Sequence, residues 1–277
     1  MASVEENREH WRDYDWSRGG EEWSESWGGS EVQWQGAILP RIAPFLPCAS
    51  GLEIACGHGR WSQHLRPFCR ELILVDLVED AVAACRRRFS GDRRVRCYQT
   101  DGRSLPMAAA QSLDFVFSFD SLVHCELAEL EGYLAELARV LTANGAGFLH
   151  HSNFAAVLAA KPGSYNHFWR AESVSAEAFV QACDRLGLVC ISQELVNWGG
   201  IPGCDCFSIV TRPGSVWERE PVRAENPHFM AEAASLQVRA RIQPVPRGAG
   251  MAGRRLSARL RRLGRGLFFA LGGGRLE

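Results

Sequence analysis

The sequence predicts a doubly wound α/β sheet, on three observations. A short apolar run over residues 52–56 leads straight into a glycine turn, Gly57-His58-Gly59, and then into the first turns of a helix. A second apolar run over 72–77 carries Asp76 near its end, and strand-like and helix-like patterns go on alternating to residue 212. Acids or histidines stand where the strands finish, and open α/β sheets bind their ligands outside the carboxyl ends of the strands.

The glycine turn is the centre of the pattern. Glycine accepts positive φ and brings no Cβ that would hold a ligand off the backbone. A dinucleotide fingerprint asks for a third glycine at position 62, where the chain has Ser62, and this weakens a nicotinamide-cofactor reading. Asp76 lies 23 residues past Glu53. In a doubly wound sheet that position faces a ribose, whose two hydroxyls a carboxylate can accept. The alternative, a helix N-cap, suits Glu79 or Asp80 better, because Asp76 comes too early.

The 277 residues are 46% hydrophobic, enough for a sizeable core, and suit one large domain with appendages. No run of 18 apolar residues appears, so no simple membrane-spanning helix is expected. The acidic, polar N-terminus is unlike a secretory signal, and the ten cysteines are scattered, with Cys204 and Cys206 the one close pair. They read as reduced core thiols in a cytoplasmic protein, and no metal site is expected.

Three segments follow from composition. Residues 1–47 hold five of the nine tryptophans (Trp11, Trp16, Trp23, Trp27 and Trp34) among polar residues and glycines. So many indoles must dock on something, either as plain packing or as a lid over a cleft. Residues 48–212 carry the sheet. A helix is predicted over 78–89, ending in three arginines that suit its C-terminal dipole. A strand follows over 95–99, with Asp101-Gly102 as a turn, and another over 112–120. A helix over 126–141 precedes a strand over 147–152, and a helix over 175–186 precedes strands over 189–196 and 204–211. The aromatic stretch 161–170 falls at the end of the sheet that carries the cleft. Residues 213–277 read as an extension. From Arg239 onward there are ten arginines and one acid, while the rest of the chain is acidic. Over 254–271 the leucines fall on one helical face flanked by arginines, the pattern of a helix lying on a membrane surface. A disordered basic tail is the alternative; nucleic acid is disfavoured because stacking aromatics are not interleaved with the basic residues.

In combination these features resemble class I S-adenosylmethionine (SAM) methyltransferases. The signature is Glu53-x-x-x-Gly57-x-Gly59, Asp76, Asp101, the run from Phe119 to His124, and the helix and turn over 133–147. The resemblance implies a seven-stranded Rossmann-like sheet with strands 1–6 parallel and strand 7 antiparallel, an N-terminal aromatic lid and a basic C-terminal tail. It implies cofactor contacts from Trp34, Glu53, Gly57, Gly59, Arg60, Asp76, Leu77, Asp101, Gly102, Phe119, Asp120 and Ser121, with Asp101 at the adenine and Arg60 at the SAM carboxylate. Trp-Gly-Gly-Ser-Glu-Val-Gln-Trp ending at Trp34, Phe-Ser-Phe-Asp-Ser-Leu-Val-His over 117–124, His-His-Ser-Asn over 150–153 and Gln-Glu-Leu-Val-Asn-Trp over 193–198 are similar to methyltransferases of bacterial polysaccharide and O-antigen clusters, with relatives in secondary metabolism. That implies a saccharide or other hydroxyl or phosphate acceptor. A sugar hydroxyl must lose its proton near the transition state, and a neutral histidine is the natural base. His124 and His151, at the ends of the fourth and fifth strands, are the candidates, with His150 expected on the opposite face. A small-molecule acceptor, a non-catalytic partner of the same fold and an oxidoreductase are the competing readings.

Overall fold

The computed structural model describes residues 3–242. The chain begins with α1 (Val4–Asp13), started by a reciprocal cap in which Ser3 and Glu6 each accept the other's backbone N–H. After 3₁₀ turns comes a continuous helical stretch: α2 (Ser30–Gln33), a π-turn (Trp34–Ile38) and α3 (Leu39–Ile42). The repeating units then follow in order. They are β1 (Cys48–Ile54), α4 (Ser62–Leu65), β2 (Cys69–Asp76), α5 (Glu79–Arg88), β3 (Val95–Gln99), β4 (Leu113–Ser118), α6 (Leu127–Val140) and β5 (Leu141–Ser152). The chain continues through α7 (Phe154–Ala160), α8 (Ala176–Arg185), β6 (Val189–Trp198), β7 (Ile201–Thr211), β8 (Val222–Asn226) and α9 (Phe229–Ile242).

The strands pair in the order β3-β2-β1-β4-β5-β7-β6-β8. β7 runs antiparallel to β5 and β6, and the other pairings are parallel. The sheet thus has eight strands among the described residues where seven were expected. The extra one, β8, lies in the segment read as an extension. It is short and exposed, with no buried alternation to mark it. It pairs in parallel with β6, Ser192 to Val196 against Val222 to Asn226.

Both faces of the sheet are covered, so its central strands alternate between two apolar layers. Val116 and Leu149 face a layer with Leu130, Leu134 and Leu137 of α6 and Phe179 of α8. Phe115, Phe117 and Phe148 face the other, with Trp27, Trp34 and Ile38 of the N-terminal segment and Phe229 of α9. Phe229 is fully buried, with ring centroids 4.9 Å from Trp27, 5.0 Å from Phe207 and 5.8 Å from Trp198. The compact unit built on the sheet therefore runs on past residue 212, through Gln237. Of the second unit, Val238–Glu277, only the end of α9 lies among the described residues, and the basic stretch 254–271 lies outside them.

Truncating Phe229 to Ala should lower the unfolding free energy by about 3–5 kcal/mol, as for other fully buried phenylalanines. Urea titration followed by tryptophan fluorescence checks this. A change within the ordinary surface range would mean that α9 is not part of the core.

Candidate functional site

At the carboxyl ends of the parallel strands lies a cavity of about 750 Å³. Its floor comes from the residues that follow β1 (Ala55, Cys56, Gly57), end β2 (Asp76, Leu77), follow β3 (Gly102) and follow β4 (Asp120, Ser121, Leu122). This is the crevice where the strand order reverses between β1 and β4. Ala55, Asp120 and Trp169, all lining it, hold left-handed backbone at φ 57°, 61° and 52°. Such conformations cost free energy and persist where surrounding contacts over-determine them.

One half of the cavity is built around Asp76. Its Oδ2 accepts the Gly57 N–H at 2.8 Å and its Oδ1 the Val78 N–H at 2.9 Å, so the carboxylate ties the glycine turn to the end of β2. Burial raises its pKa, and the two amides pull it back toward the ionised form. Each oxygen keeps a further lone pair, and the two together can accept both hydroxyls of a ribose diol. Leu77, Gly102 and Val4 line the same end, and a Cβ on Gly102 would sit 3.2 Å from the Val4 side chain and 3.4 Å from that of Leu77, so the glycine lets both pack against the backbone there. The volume and the carboxylate fit the adenosine part of SAM.

Arg60 also lines the cavity, but its guanidinium is engaged. Nη2 donates to Asp120 Oδ2 and Nη1 to Ser24 Oγ, both at 3.0 Å, and the Trp23 and Trp61 rings lie 5.1 and 4.3 Å from its Cζ. Any contact with a cofactor carboxylate would share these bonds.

The other half is built around His124, on a 3₁₀ turn after β4 (Leu122–His124). The Trp169 carbonyl can only accept, so the 2.9 Å contact to His124 Nδ1 places the proton on Nδ1. Nε2 then carries the lone pair. Asn7 Nδ2 donates to the His124 carbonyl at 3.1 Å, and the Trp11 and Trp169 rings lie 5.3 and 5.5 Å away. Burial, helped by the charge of Arg170, lowers the His124 pKa to about 4. At neutral pH it is an uncharged imidazole whose Nε2 lone pair can accept a proton.

The sequence expectation at β5 had the alternation right, but neither histidine lines the cavity. His151 is completely buried on the α8 side, stacked 4.1 Å from Phe179, and bonded to the Ser152 carbonyl and Ser208 Oγ at 2.8 Å each. It does not reach the cavity. His150 lies on the opposite face, beside Asp120, and both its nitrogens are used. Nδ1 accepts the Asp120 N–H and Nε2 donates to Asp205 Oδ2, both at 3.0 Å. Asp205 also accepts Arg170 Nε at 2.9 Å and Nη2 at 2.8 Å. Burial alone would raise the Asp205 pKa; Arg170 and the His150 hydrogen bond hold it down at about 2. Periodicity could not find this cluster, since its members come from β5, β7 and the loop before α8.

Other expected contacts are displaced from the cavity wall. Trp34 is buried in the sheet-facing layer, its ring edge-on to Phe117 at 6.0 Å. Glu53 is buried with Ser62 Oγ 2.6 Å from its Oε2, and burial raises its pKa to about 8. This bond joins β1 to α4, so Ser62 does by hydrogen bonding what a third glycine does by close packing. Gly59, at φ 83°, is needed for room: a Cβ would lie 3.2–3.3 Å from Arg88, Cys85 and Phe89. Asp101 is exposed and caps its own turn, accepting Arg103 N–H at 2.9 Å, Ser104 N–H at 2.7 Å and Ser104 Oγ–H at 2.9 Å. Phe119 packs between Trp61, His150 and Phe207 beneath the floor. Gly57, Arg60, Asp76, Leu77, Gly102, Asp120, Ser121 and His124 do line the cavity. So do residues that sequence reasoning did not single out one by one, among them Asn7, Trp11, Trp23 and Trp169. Their signal was the aromatic density of residues 1–47 and 161–170.

Residues 52–145 match a family described as a methyltransferase domain. A probable S-adenosylmethionine-dependent methyltransferase of Mycobacterium tuberculosis is 33% identical over 108 residues, 39% of this chain and 37% of that protein. Nodulation protein S of Sinorhizobium fredii is 25% identical over 131 residues, 47% of this chain and 57% of that protein. The chain thus spans 37% to 57% of the length of these curated relatives. Among solved structures, the PH0226 protein of Pyrococcus horikoshii superposes with a TM-score of 0.55 at 19% identity, covering 74% of this chain and 98% of that one. The N-methyltransferase NodS of Bradyrhizobium japonicum, solved with S-adenosylhomocysteine (SAH), gives 0.53 at 14% identity, covering 76% and 98%. Residues 52–145 are thus similar to a methyltransferase domain, and the fold is the α/β Rossmann-like one of these solved structures.

The buried histidines set a pH dependence. His124 and His151 both have pKa values lowered by burial to about 4, against 6.5 when unfolded. The unfolded chain therefore takes up protons first as pH falls. Stability from these groups is full above about pH 6.5, declines from there to about pH 4, and changes no further below. The urea midpoint should fall between about pH 7 and about pH 5, and fall less in a His151→Gln variant. Equal slopes in the two proteins would contradict the burial of His151 as a neutral ring.

Proposed function

We propose that this protein is a SAM-dependent methyltransferase that transfers a methyl group to an oxygen of a saccharide or glycoconjugate, with His124 as the base. One observation carries the reading: Asp76, suited to the ribose, and His124, a neutral imidazole with Nε2 unengaged, line the same cavity. SAM supplies a sulfonium-bound methyl. Asp76, Leu77 and Gly102 would hold the nucleoside part. Asp120, fixed by Arg60 and His150, shapes the floor between the two halves. His124 Nε2 takes the hydroxyl proton, while the Trp169 carbonyl on Nδ1–H steadies the ring. Trp11 and Trp169 offer flat apolar surfaces to the C–H face of a sugar ring, and the segment 1–47 acts as a lid that keeps water away. Holding the acceptor oxygen in line with the methyl is the protein's largest task, worth roughly 7–11 kcal/mol in well-oriented systems. The resemblance to methyltransferases of polysaccharide clusters supports the saccharide class.

A second reading rests on a groove of about 670 Å³ that shares His10, Tyr14 and Trp169 with the cavity and is lined by Glu6, Glu9, Asp13 and Asp15. Four carboxyl groups at an entrance favour a cationic acceptor. The likeness to NodS, an N-methyltransferase by its description, points the same way. An amine acceptor would place the methyl on nitrogen.

Calorimetric titration with SAH, with NAD as a control, tests the cofactor. Asp76→Ala should weaken SAH binding about 10- to 100-fold, the loss expected for hydrogen bonds to a charged group. Absence of SAH binding to the wild-type protein would sink the methyltransferase reading. Transfer of labelled methyl from SAM to oligosaccharides with free hydroxyls, compared with amino sugars, separates oxygen from nitrogen. For a hydroxyl acceptor His124→Ala should lower kcat by about 10²–10⁴; an undiminished kcat would remove His124 as the base.

A further inference from the structure

A cluster of fully or almost fully buried polar side chains lies next to the cavity. The side chains of His150 and Asp205 are 0% exposed and that of Arg170 4%. Arg170 grips Asp205 with two parallel bonds, and His150 sits on the same carboxylate. Burying an ion pair gives little net stability against a well-packed apolar pair, so a buried Arg–Asp–His cluster asks for another role.

Its connections indicate one. On the β5 side, the carboxylate fixes the His150 proton on Nε2, leaving Nδ1 to accept the Asp120 N–H. That bond pins Asp120 in its left-handed conformation. On the loop side, Arg170 directly follows Trp169, whose carbonyl fixes the proton on His124 Nδ1. The loop has further ties: Asn166 brackets Arg170 through the Arg170 N–H and carbonyl, both at 2.7 Å, and the Ala171 N–H donates to the Val123 carbonyl at 2.8 Å. Arg170 thus anchors the loop at the residue beside the one that sets the tautomer of His124.

We propose that the Arg170–Asp205–His150 cluster is a positioning element for the acceptor half of the cavity: it holds the Trp169 carbonyl on His124, so that Nε2 is the basic nitrogen, and holds Asp120 in its left-handed form. The part played by His124 once it is in place rests on the methyl-transfer reading; its tautomer does not.

The test uses the full chain labelled with ¹⁵N-histidine, and long-range ¹H–¹⁵N spectra that report which ring nitrogen is protonated. Wild-type protein at neutral pH should show His124 as a single Nδ1–H form. The double variant Arg170→Met/Asp205→Asn removes both charges together, leaving no unpaired ion in the core. It should bind SAH within a few-fold of wild type while His124 moves to a mixture dominated by the Nε2–H form. Arg170→Lys, which keeps the charge but not the two-pronged grip, should give an intermediate ratio. If the double variant does not fold, Arg170→Lys alone decides. A His124 that stays wholly Nδ1–H in a folded variant overturns the proposal. A wild-type protein that shows the tautomer change in its variants but binds no SAH would overturn the methyl-transfer reading and leave this one standing. Normal SAH binding with unmoved tautomers would do the reverse.

Discussion

Every central strand of this sheet is covered on both faces, so each of its residues must belong to one layer or the other. That constraint arranges the rest. Because a strand alternates, β4 sends Phe115 and Phe117 toward the N-terminal layer and Val116 toward α6 and α8. β5 does the same with Phe148 and Leu149, and the alternation carries on into His150 and His151. The two histidines are chemically identical and one residue apart. One becomes a packed neighbour of Phe179, and the other joins a charged cluster beside the cavity. Apolar burial of this extent would be compatible with several registers of loops at the strand ends; the polar contacts there select one.

Those polar contacts share a pattern. Asp76 receives the Gly57 and Val78 amides, Asp120 receives Arg60, and Asp205 receives Arg170 and His150. Each carboxylate joins segments that the sheet alone leaves independent. Low local polarity makes such bonds costly to leave unmade, which gives the strand ends a definite shape. The left-handed residues Ala55, Asp120 and Trp169 lie within that framework. Glu53 and Ser62 apply the same principle one layer deeper, where the carboxyl lies within the core and its proton is held near neutral pH.

The N-terminal segment lines the crevice with aromatic rings. Trp11, Tyr14, Trp16 and Trp23 lie mutually 5.1–6.2 Å apart, and Trp16 stacks on His58 of the glycine turn at 4.5 Å. Trp27 and Trp34 from the same segment pass into the core. A tryptophan-rich segment thus divides between packing and lining, two uses that composition by itself could not separate.

By itself the sequence determined the strand–turn–helix centre, the order of the units, the position of Asp76 and the placement of His124 at the end of the fourth strand. These are local matters, set by period-two apolar runs, by glycine's tolerance of positive φ, and by the rule that strands present their carboxyl ends to ligands. Tertiary structure decided what depends on partners far along the chain. Asp205 lies 55 residues from His150 and 35 from Arg170, and no spacing within the sequence announces that the three meet. It also decided which of the two β5 histidines lies beside Asp120, since alternation gives parity but not direction. β8 likewise is defined by its pairing with residues of β6 more than 25 positions earlier in the chain. The removal of Trp34, Glu53 and Asp101 from the cavity wall has the same origin: each residue type suits a ligand, but each had a nearer partner in the fold.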